Sequence, residues 1–154
     1  YKVYNMVLLD HPEIFWVDSY NVVQTLSKNV NTNKQIRIYY VFSIEEAQEI
    51  KSRIEEKYNQ IIDGAKQEAT DFKKIKYVHD KLIEISKYQE PLENSTQELQ
   101  TIISIFDTGY SVCAGYTNGF KFIMDNLDIK SMSMQSVGNE DKRKNHIYTE
   151  NGII

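Results

Sequence analysis

Cys113 is the only cysteine in a chain of 154 residues. It stands in the run Tyr110-Ser111-Val112-Cys113-Ala114-Gly115-Tyr116, where a polar, glycine-punctuated loop turns into an amphipathic pattern. A lone thiol cannot close an internal disulfide, so packing or chemistry must account for it. Backbone N–H groups at a helix start and the positive end of the helix dipole favour thiolate over thiol. The ordinary thiol pKa of about 8.5 can then fall by one to several units, which gives a nucleophile at neutral pH. The competing reading is a small buried hydrophobe. The helix-start position and the flanking residues favour the nucleophile.

A cysteine nucleophile needs a base to take its proton and a third group to hold that base in one tautomer. His146 is the natural base. It lies near the start of a strand, stiff enough to hold an imidazole against a helix N-terminus. The order of elements fits: a helix-borne thiol, one strand, a polar loop, then a histidine-bearing strand entering a tight hairpin. The Cys113 backbone N–H would form part of an oxyanion hole, with its second donor left open. The other two histidines read differently. His79, on an apolar helical face beside Asp80, reads as a structural residue hydrogen-bonded inside the core, and His11, ahead of Pro12, as a loop residue. Three scattered histidines and one cysteine do not supply the four clustered ligands of a structural zinc site. No metal and no cofactor is expected.

The sequence also outlines the elements that must position these groups. Tyr1 to Asp10 reads as the tail of a helix that stops ahead of Pro12, and Ile14 to Val17 as extended chain. Gln35 to Phe42 alternates as a strand, with Ile36, Ile38, Tyr40 and Phe42 on one face. Ser43-Ile44-Glu45-Glu46 is a capping box that opens a long helix. Its inner stripe is Ile44, Ala47, Ile50, Ile54, Tyr58, Ile61 and Ala65. A second helix runs from Phe72 to Lys87, carried by Ile75, Val78, His79, Leu82 and Ile83. Pro91 to Ser95 reads as a loop, and Gln97 to Phe106 as a shorter helix ending near Gly109. The Cys113 helix turns Tyr116, Phe120, Ile123, Met124 and Leu127 inward. Gly115 and Gly119 leave a bare strip on it for a close backbone approach, at a propensity cost of roughly 1 kcal/mol each that packing must offset.

Ser131 to Val137 then reads as a strand whose Met132 and Met134 face the Cys113 helix, Gly138 to Lys144 as a polar loop, and Asn145 to Glu150 as a second strand. Asn151-Gly152 is a two-residue hairpin turn. Trp16, Tyr39, Tyr40 and Phe42 read as core, and Tyr116 as packing. Helices first and strands last make an α+β fold.

Several of these segments together resemble one family. Gly109-Tyr110-Ser111-Val112-Cys113-Ala114-Gly115-Tyr116 resembles the Gly-x-x-Val-Cys-x-Gly-Tyr element of bacterial transglutaminase-like domains, which are built on a papain-like cysteine-protease core. Asn126-Leu127-Asp128-Ile129 stands where that family's nucleophile helix ends in Leu-Gly-Ile. Lys76-Tyr77-Val78-His79-Asp80-Lys81-Leu82, with Tyr88, resembles its Ile-His-Asp-Tyr-Leu helix and following tyrosine. Asp10-His11-Pro12-Glu13-Ile14-Phe15-Trp16 resembles a segment ahead of the core in many such proteins. The resemblance covers most of the chain. It implies an N-terminal extension over residues 1–42, part of a preceding region, and a transglutaminase-like core over 43–154. In that core the nucleophile helix packs on a C-terminal antiparallel sheet.

The same resemblance implies a Cys-His-Asp triad. Cys113 and His146 carry over, and the Asp is expected beyond Ile154, where the core is truncated. One motif departs: His146-Ile147-Tyr148-Thr149 stands in place of the family's His-Ala-Trp-Asn. The function implied is thiol-dependent acyl transfer on amide bonds of a protein or peptide through a thioester. Water completes it in a peptidase or amidase, and an amine in a transglutaminase. The altered histidine motif supports the alternative, a catalytically degenerate module acting in protein or cell-wall binding.

Bulk properties narrow the partners. With 41% hydrophobic and 26% charged residues the chain can build one cored domain. A net charge of −4 and a pI near 5.4 supply no basic face for nucleic acid. No run reaches the roughly 18 apolar residues that would cross a bilayer, so no transmembrane segment is expected. Tyr1 is not an initiator methionine, and Ile153-Ile154 follow a turn that should launch another strand, so the chain reads as cut at both ends. Bacterial relatives of this build are often exported, which sets an extracellular or cell-surface address as the expectation and a cytoplasmic one as the alternative.

Overall fold

The computed structural model describes residues 2–25, 33–90, 96–135, 145–149 and 152–153, with side chains described for 3–18, 36–90 and 96–134. Helix α1 (Lys2–Asp10) ends in a turn in which the His11 N–H donates to the Val7 carbonyl (2.9 Å), one residue before Pro12. An antiparallel hairpin follows, β1 (Val17–Thr25) with β2 (Asn33–Tyr40), in register Tyr20↔Ile38 and Val22↔Ile36. The expected strand is therefore present. Its partner β1 mixes polar with apolar residues and carries no clear alternation, and of the expected extended stretch 14–17, Phe15 and Trp16 form a turn while Val17 opens β1. Tyr39 and Tyr40 are exposed rather than core, as are Ile36 and Ile38. The inward anchor of this region is Phe15, buried and edge-on to Trp16 (5.2 Å) and Phe42 (6.2 Å).

Helix α2 (Ile44–Lys66) begins at the capping box the sequence announces. The Glu46 N–H donates to Ser43 Oγ (3.2 Å), and the Ser43 N–H donates back to the Glu46 carboxylate (2.8 Å). The Ser43 backbone bond, and then its hydroxyl, hold the Glu46 carboxyl below its ordinary pKa. Ser43→Ala removes one of the two reciprocal bonds and should destabilise the fold by about 1 kcal/mol. A denaturant midpoint equal to that of the wild type would show that the cap is dispensable. The inner stripe is Ile50, Ile54, Tyr58, Ile61, Ile62 and Ala65. Ile44 lies outside it at 73% exposure, because the first helical turn projects past the layer it covers.

Helix α3 (Asp71–Ile85) is capped by Thr70 and buries Ile75, Val78 and Leu82. His79 is not inside the core. Its side chain is 44% exposed and its Nδ1 lies 3.1 Å from an exposed Asp80 oxygen. The helical period carries it to the rim of the apolar stripe rather than its centre.

After α3 the chain forms β3 (Lys87–Tyr88), which pairs in parallel with β4 (Tyr110–Ser111). The Lys87 N–H donates to the Gly109 carbonyl (2.9 Å) and the Gln89 N–H to the Ser111 carbonyl (2.8 Å). The helix expected over 97–106 is present in two pieces, a short 3₁₀ helix (Glu98–Gln100) and a helical stretch from Ile102 that widens into a π-helix over Ser104–Thr108, where the Gly109 N–H reaches back five residues to Ser104 (3.0 Å). Gly109 has φ +72°, a left-handed geometry that glycine adopts without strain and that redirects the chain into β4. Arg53 on α2 ties this turn down through Asp107 (2.6 Å), and that carboxylate raises the guanidinium pKa further.

Helix α4 (Cys113–Asn126) packs against α2, α3 and both turns, burying Phe120, Ile123 and Met124 in the same core as Phe15, Ile54 and Phe106. At its end Asp128 takes φ +56°. Aspartate is among the few non-glycine residues that tolerate this geometry. The C-terminal sheet runs β5-β6-β7 (Ser131–Gln135, Asn145–Thr149, Gly152–Ile153), all antiparallel, and α4 contacts β5 and β6.

Thr149 pairs with Gly152, so Gly152 opens β7 and is not part of the two-residue turn expected at Asn151-Gly152. Residues 150–151 and the expected loops 91–95 and 138–144 lie outside the described residues. Met132 and Met134 do not face α4 from within the core. They are 56% and 44% exposed, whereas the alternating Ser131 and Ser133 hydroxyl oxygens are buried. The fold thus mixes helices with small sheets, but strands β1 and β2 precede the long helices, so the order is not helices first. Among the described residues no helix is long and apolar enough to cross a membrane.

Candidate functional site

Cys113 is the first residue of α4 and is half-buried. Val112, in extended geometry, occupies the N-cap and supplies no side-chain acceptor, so the first N–H groups of the helix must be met by groups from elsewhere in the chain. What fixes the helix start lies one residue earlier. Ser111 is fully buried, and its hydroxyl is 2.7 Å from that of Ser104, which donates to the Thr101 carbonyl (2.7 Å). The Val112 N–H donates to the Leu99 carbonyl (3.3 Å). On the helix itself Thr117 Oγ1 donates to the Cys113 carbonyl (2.9 Å), and Asn118 donates to the Gln100 carbonyl (2.8 Å).

Gly115 makes this cradle possible. A Cβ there would lie 2.6 Å from the Leu99 carbonyl oxygen and closer still to the Ser104 and Ser111 hydroxyls. At Gly119 the nearest atom to a Cβ would be Ile105 Cγ1 at 3.1 Å. The bare strip expected from the two glycines therefore exists, and only its first member is held against backbone.

The β3–β4 pair brings Tyr88 to the thiol. The Tyr88 ring stacks on Tyr116, with centroids 6.3 Å apart and planes 10° from parallel. Its phenol hydrogen-bonds both the backbone N–H and the side chain of Cys113. Burial, and then the charge of the Cys113 side chain, raise the phenol above its ordinary pKa, while the N–H bond pulls the other way. The phenol therefore stays protonated throughout the neutral range. Tyr116 packs, as expected, but its packing partner is the residue that touches the thiol.

His146 is the second residue of β6 and stands opposite Met134 in the β5–β6 register. Its backbone thus lies on one of the two strands that contact α4. Its imidazole lies outside the described residues. A cavity of about 260 Å³ runs along the first turns of α4, lined by Ala114, Thr117 and Asn118, by Ser133 and Met134 of β5, and by Leu9 and Pro12 across from them. Among the described residues no group of three histidine, cysteine or acidic side chains is placed to hold a metal ion.

Along 97% of its length this chain superposes on a solved crystal structure of a TGase, with a TM-score of 0.54 and 11% sequence identity. The fold is transglutaminase-like. The chain spans 35% of the length of that TGase chain, so the likeness concerns one part of a larger molecule. No family model matches the sequence, and no curated protein matches it.

In this transglutaminase-like frame, sequence reasoning placed Cys113 at a helix start and His146 on a strand, and the structure has both there. It missed the buried Ser104–Ser111 pair, the wide turn that presents it, and the delivery of Tyr88 to Cys113. A two-residue strand is too short to leave a periodic signal, and parallel pairing between distant segments leaves no local one.

Proposed function

We propose that the chain carries out thiol-dependent acyl transfer on protein or peptide carboxamides, with Cys113 as nucleophile and His146 as general base. The observation that carries this reading is the position of Cys113, at the N-terminus of a 14-residue helix held by a buried polar cradle, in a transglutaminase-like fold. His146 takes the thiol proton, and the sulfur lone pair forms a C–S bond while the carbonyl π electrons move onto oxygen. Collapse of that tetrahedral species re-forms the carbonyl and breaks the C–N bond. The imidazolium returns its proton to the departing amine, leaving a thioester. Water then gives hydrolysis, and a primary amine gives transamidation.

The test is alkylation of Cys113 by iodoacetamide, followed by intact mass across pH. At neutral pH the wild type should be alkylated at least about tenfold faster than His146→Ala. Equal alkylation rates in the two proteins would instead favour the degenerate binding module that the His146-Ile147-Tyr148-Thr149 sequence motivates.

A further inference from the structure

We propose that a second site, apart from the thiol, binds short peptides through both of their charged ends. It is the cavity of about 670 Å³ between the turn that follows α1, one face of α2 and the far end of α4. That volume lies within the roughly 300–1,000 Å³ of small-molecule sites, with room for more than one amino-acid residue. Lys121, in its wall, stands two turns beyond Cys113 on α4, about 12 Å along the helix axis. Binding there does not depend on the reaction proposed at Cys113.

The charges that line the cavity define the ligand. The Lys121 side chain is only 7% exposed, and its ammonium donates to both oxygens of the Asp125 carboxylate, its sole partner among the described residues. An ammonium has three donors, so one of them is unmet in the cavity wall. An apolar side chain in place of so enclosed a charge is often neutral or stabilising, so stability does not call for a lysine at this position. Lys51 on α2 and Asp10 at the end of α1 line the same cavity, and neither side chain has an ionic or hydrogen-bonded partner among the described residues.

Asp10, Glu13 and Asp125 together repel a simple anion, and the two lysines repel a simple cation. A ligand with one charge of each sign is complementary to both sets. The rings of Trp16, Tyr58 and Phe122 offer apolar walls to its body. A short peptide with free termini and apolar side chains has this chemistry: its carboxylate goes to Lys121 and Lys51, and its ammonium to Asp10.

Trp16 is the only tryptophan in the chain, and it lines the cavity, so its fluorescence reports occupancy. The probe is the dipeptide Leu-Phe, compared with N-acetyl-Leu-Phe and Leu-Phe amide, each of which lacks one of its charges. Leu-Phe should shift the Trp16 emission with a Kd below about 1 mM, and each blocked peptide should bind at least about tenfold more weakly. Lys121→Met and Lys51→Gln should each weaken Leu-Phe at least about fivefold. Asp10→Asn should do the same to Leu-Phe and leave N-acetyl-Leu-Phe unchanged, because that peptide has no ammonium to lose. Cys113→Ala should bind Leu-Phe as the wild type does.

No emission change up to about 10 mM Leu-Phe overturns the proposal. Equal affinity for the three peptides also overturns it, since the contact would then be apolar alone. Binding lost in Cys113→Ala would put the peptide at the thiol and remove the second site. Should Lys121→Met fail to fold, unchanged binding by both Lys51→Gln and Asp10→Asn, whose side chains lie at the surface, is the overturning result.

Discussion

Cys113→Ala is expected to cut acyl transfer to glutamine-containing peptides by at least about a thousandfold, because no other side chain can form the thioester. The fold should scarcely notice. Cys113 is half-buried at the first position of α4, and the contacts that hold the helix start belong to its neighbours Ser111, Val112 and Thr117. Alanine also suits a helical position well. Its stability change should stay within about 1 kcal/mol, read from urea denaturation. A large loss of stability with activity to spare would make the sulfur a packing atom and would sink the proposed reaction.

The second large effect concerns Gly115→Ala. Two opposing terms decide its sign. Alanine gains roughly 1 kcal/mol of helix propensity over glycine, but the new methyl group would press on the Leu99 carbonyl and on the Ser104 and Ser111 hydroxyls. Backbone on one side and a buried hydrogen-bonded pair on the other cannot yield as a flexible side chain does, and overpacking of this kind costs about 1–3 kcal/mol before the pair is broken. Separating the two buried hydroxyls adds an unsatisfied polar group, worth about 1–3 kcal/mol more. The net expectation is a loss of about 2–3 kcal/mol, which for a chain of this size lowers the thermal midpoint by roughly 4–12 °C. Gly119→Ala is the control. There only Ile105 must shift by a few tenths of an ångström, and the propensity gain should bring the variant to within about 1 kcal/mol of wild type. Equal midpoints for the two variants would show that the cradle is looser than its geometry.

The contrast between the glycines marks how far the sequence could be read. Their four-residue spacing on a helical face announces a close approach, yet only the fold shows that one meets backbone and the other a side chain. The long helices were legible because their apolar residues recur at the helical period and their caps are local: Ser43 and Glu46 are three residues apart and need nothing else. Cys113 at a helix start was legible for the same reason. The segment from Gln97 to Gly109 was legible only in part, since its wide turn is imposed by Arg53 on another helix and by the glycine that ends it. Met132 and Met134 mislead because strand alternation identifies two faces without saying which is inward, and here the small serines turn in. His79 misleads for a related reason, since a residue at the margin of an apolar stripe belongs to it by period and to solvent by angle.

The ladder between Lys87-Tyr88 and Tyr110-Ser111 has a bearing on how this scaffold can vary. It clamps both ends of a long excursion of the chain, so the relation between the phenol and the sulfur does not depend on how far the intervening polypeptide wanders. Closure entropy grows only logarithmically, at about 0.6 kcal/mol for each doubling of loop length. Lengthening the chain between the two strands should therefore cost the fold little, so long as the Leu99 and Ser104 contacts beneath the helix start are kept.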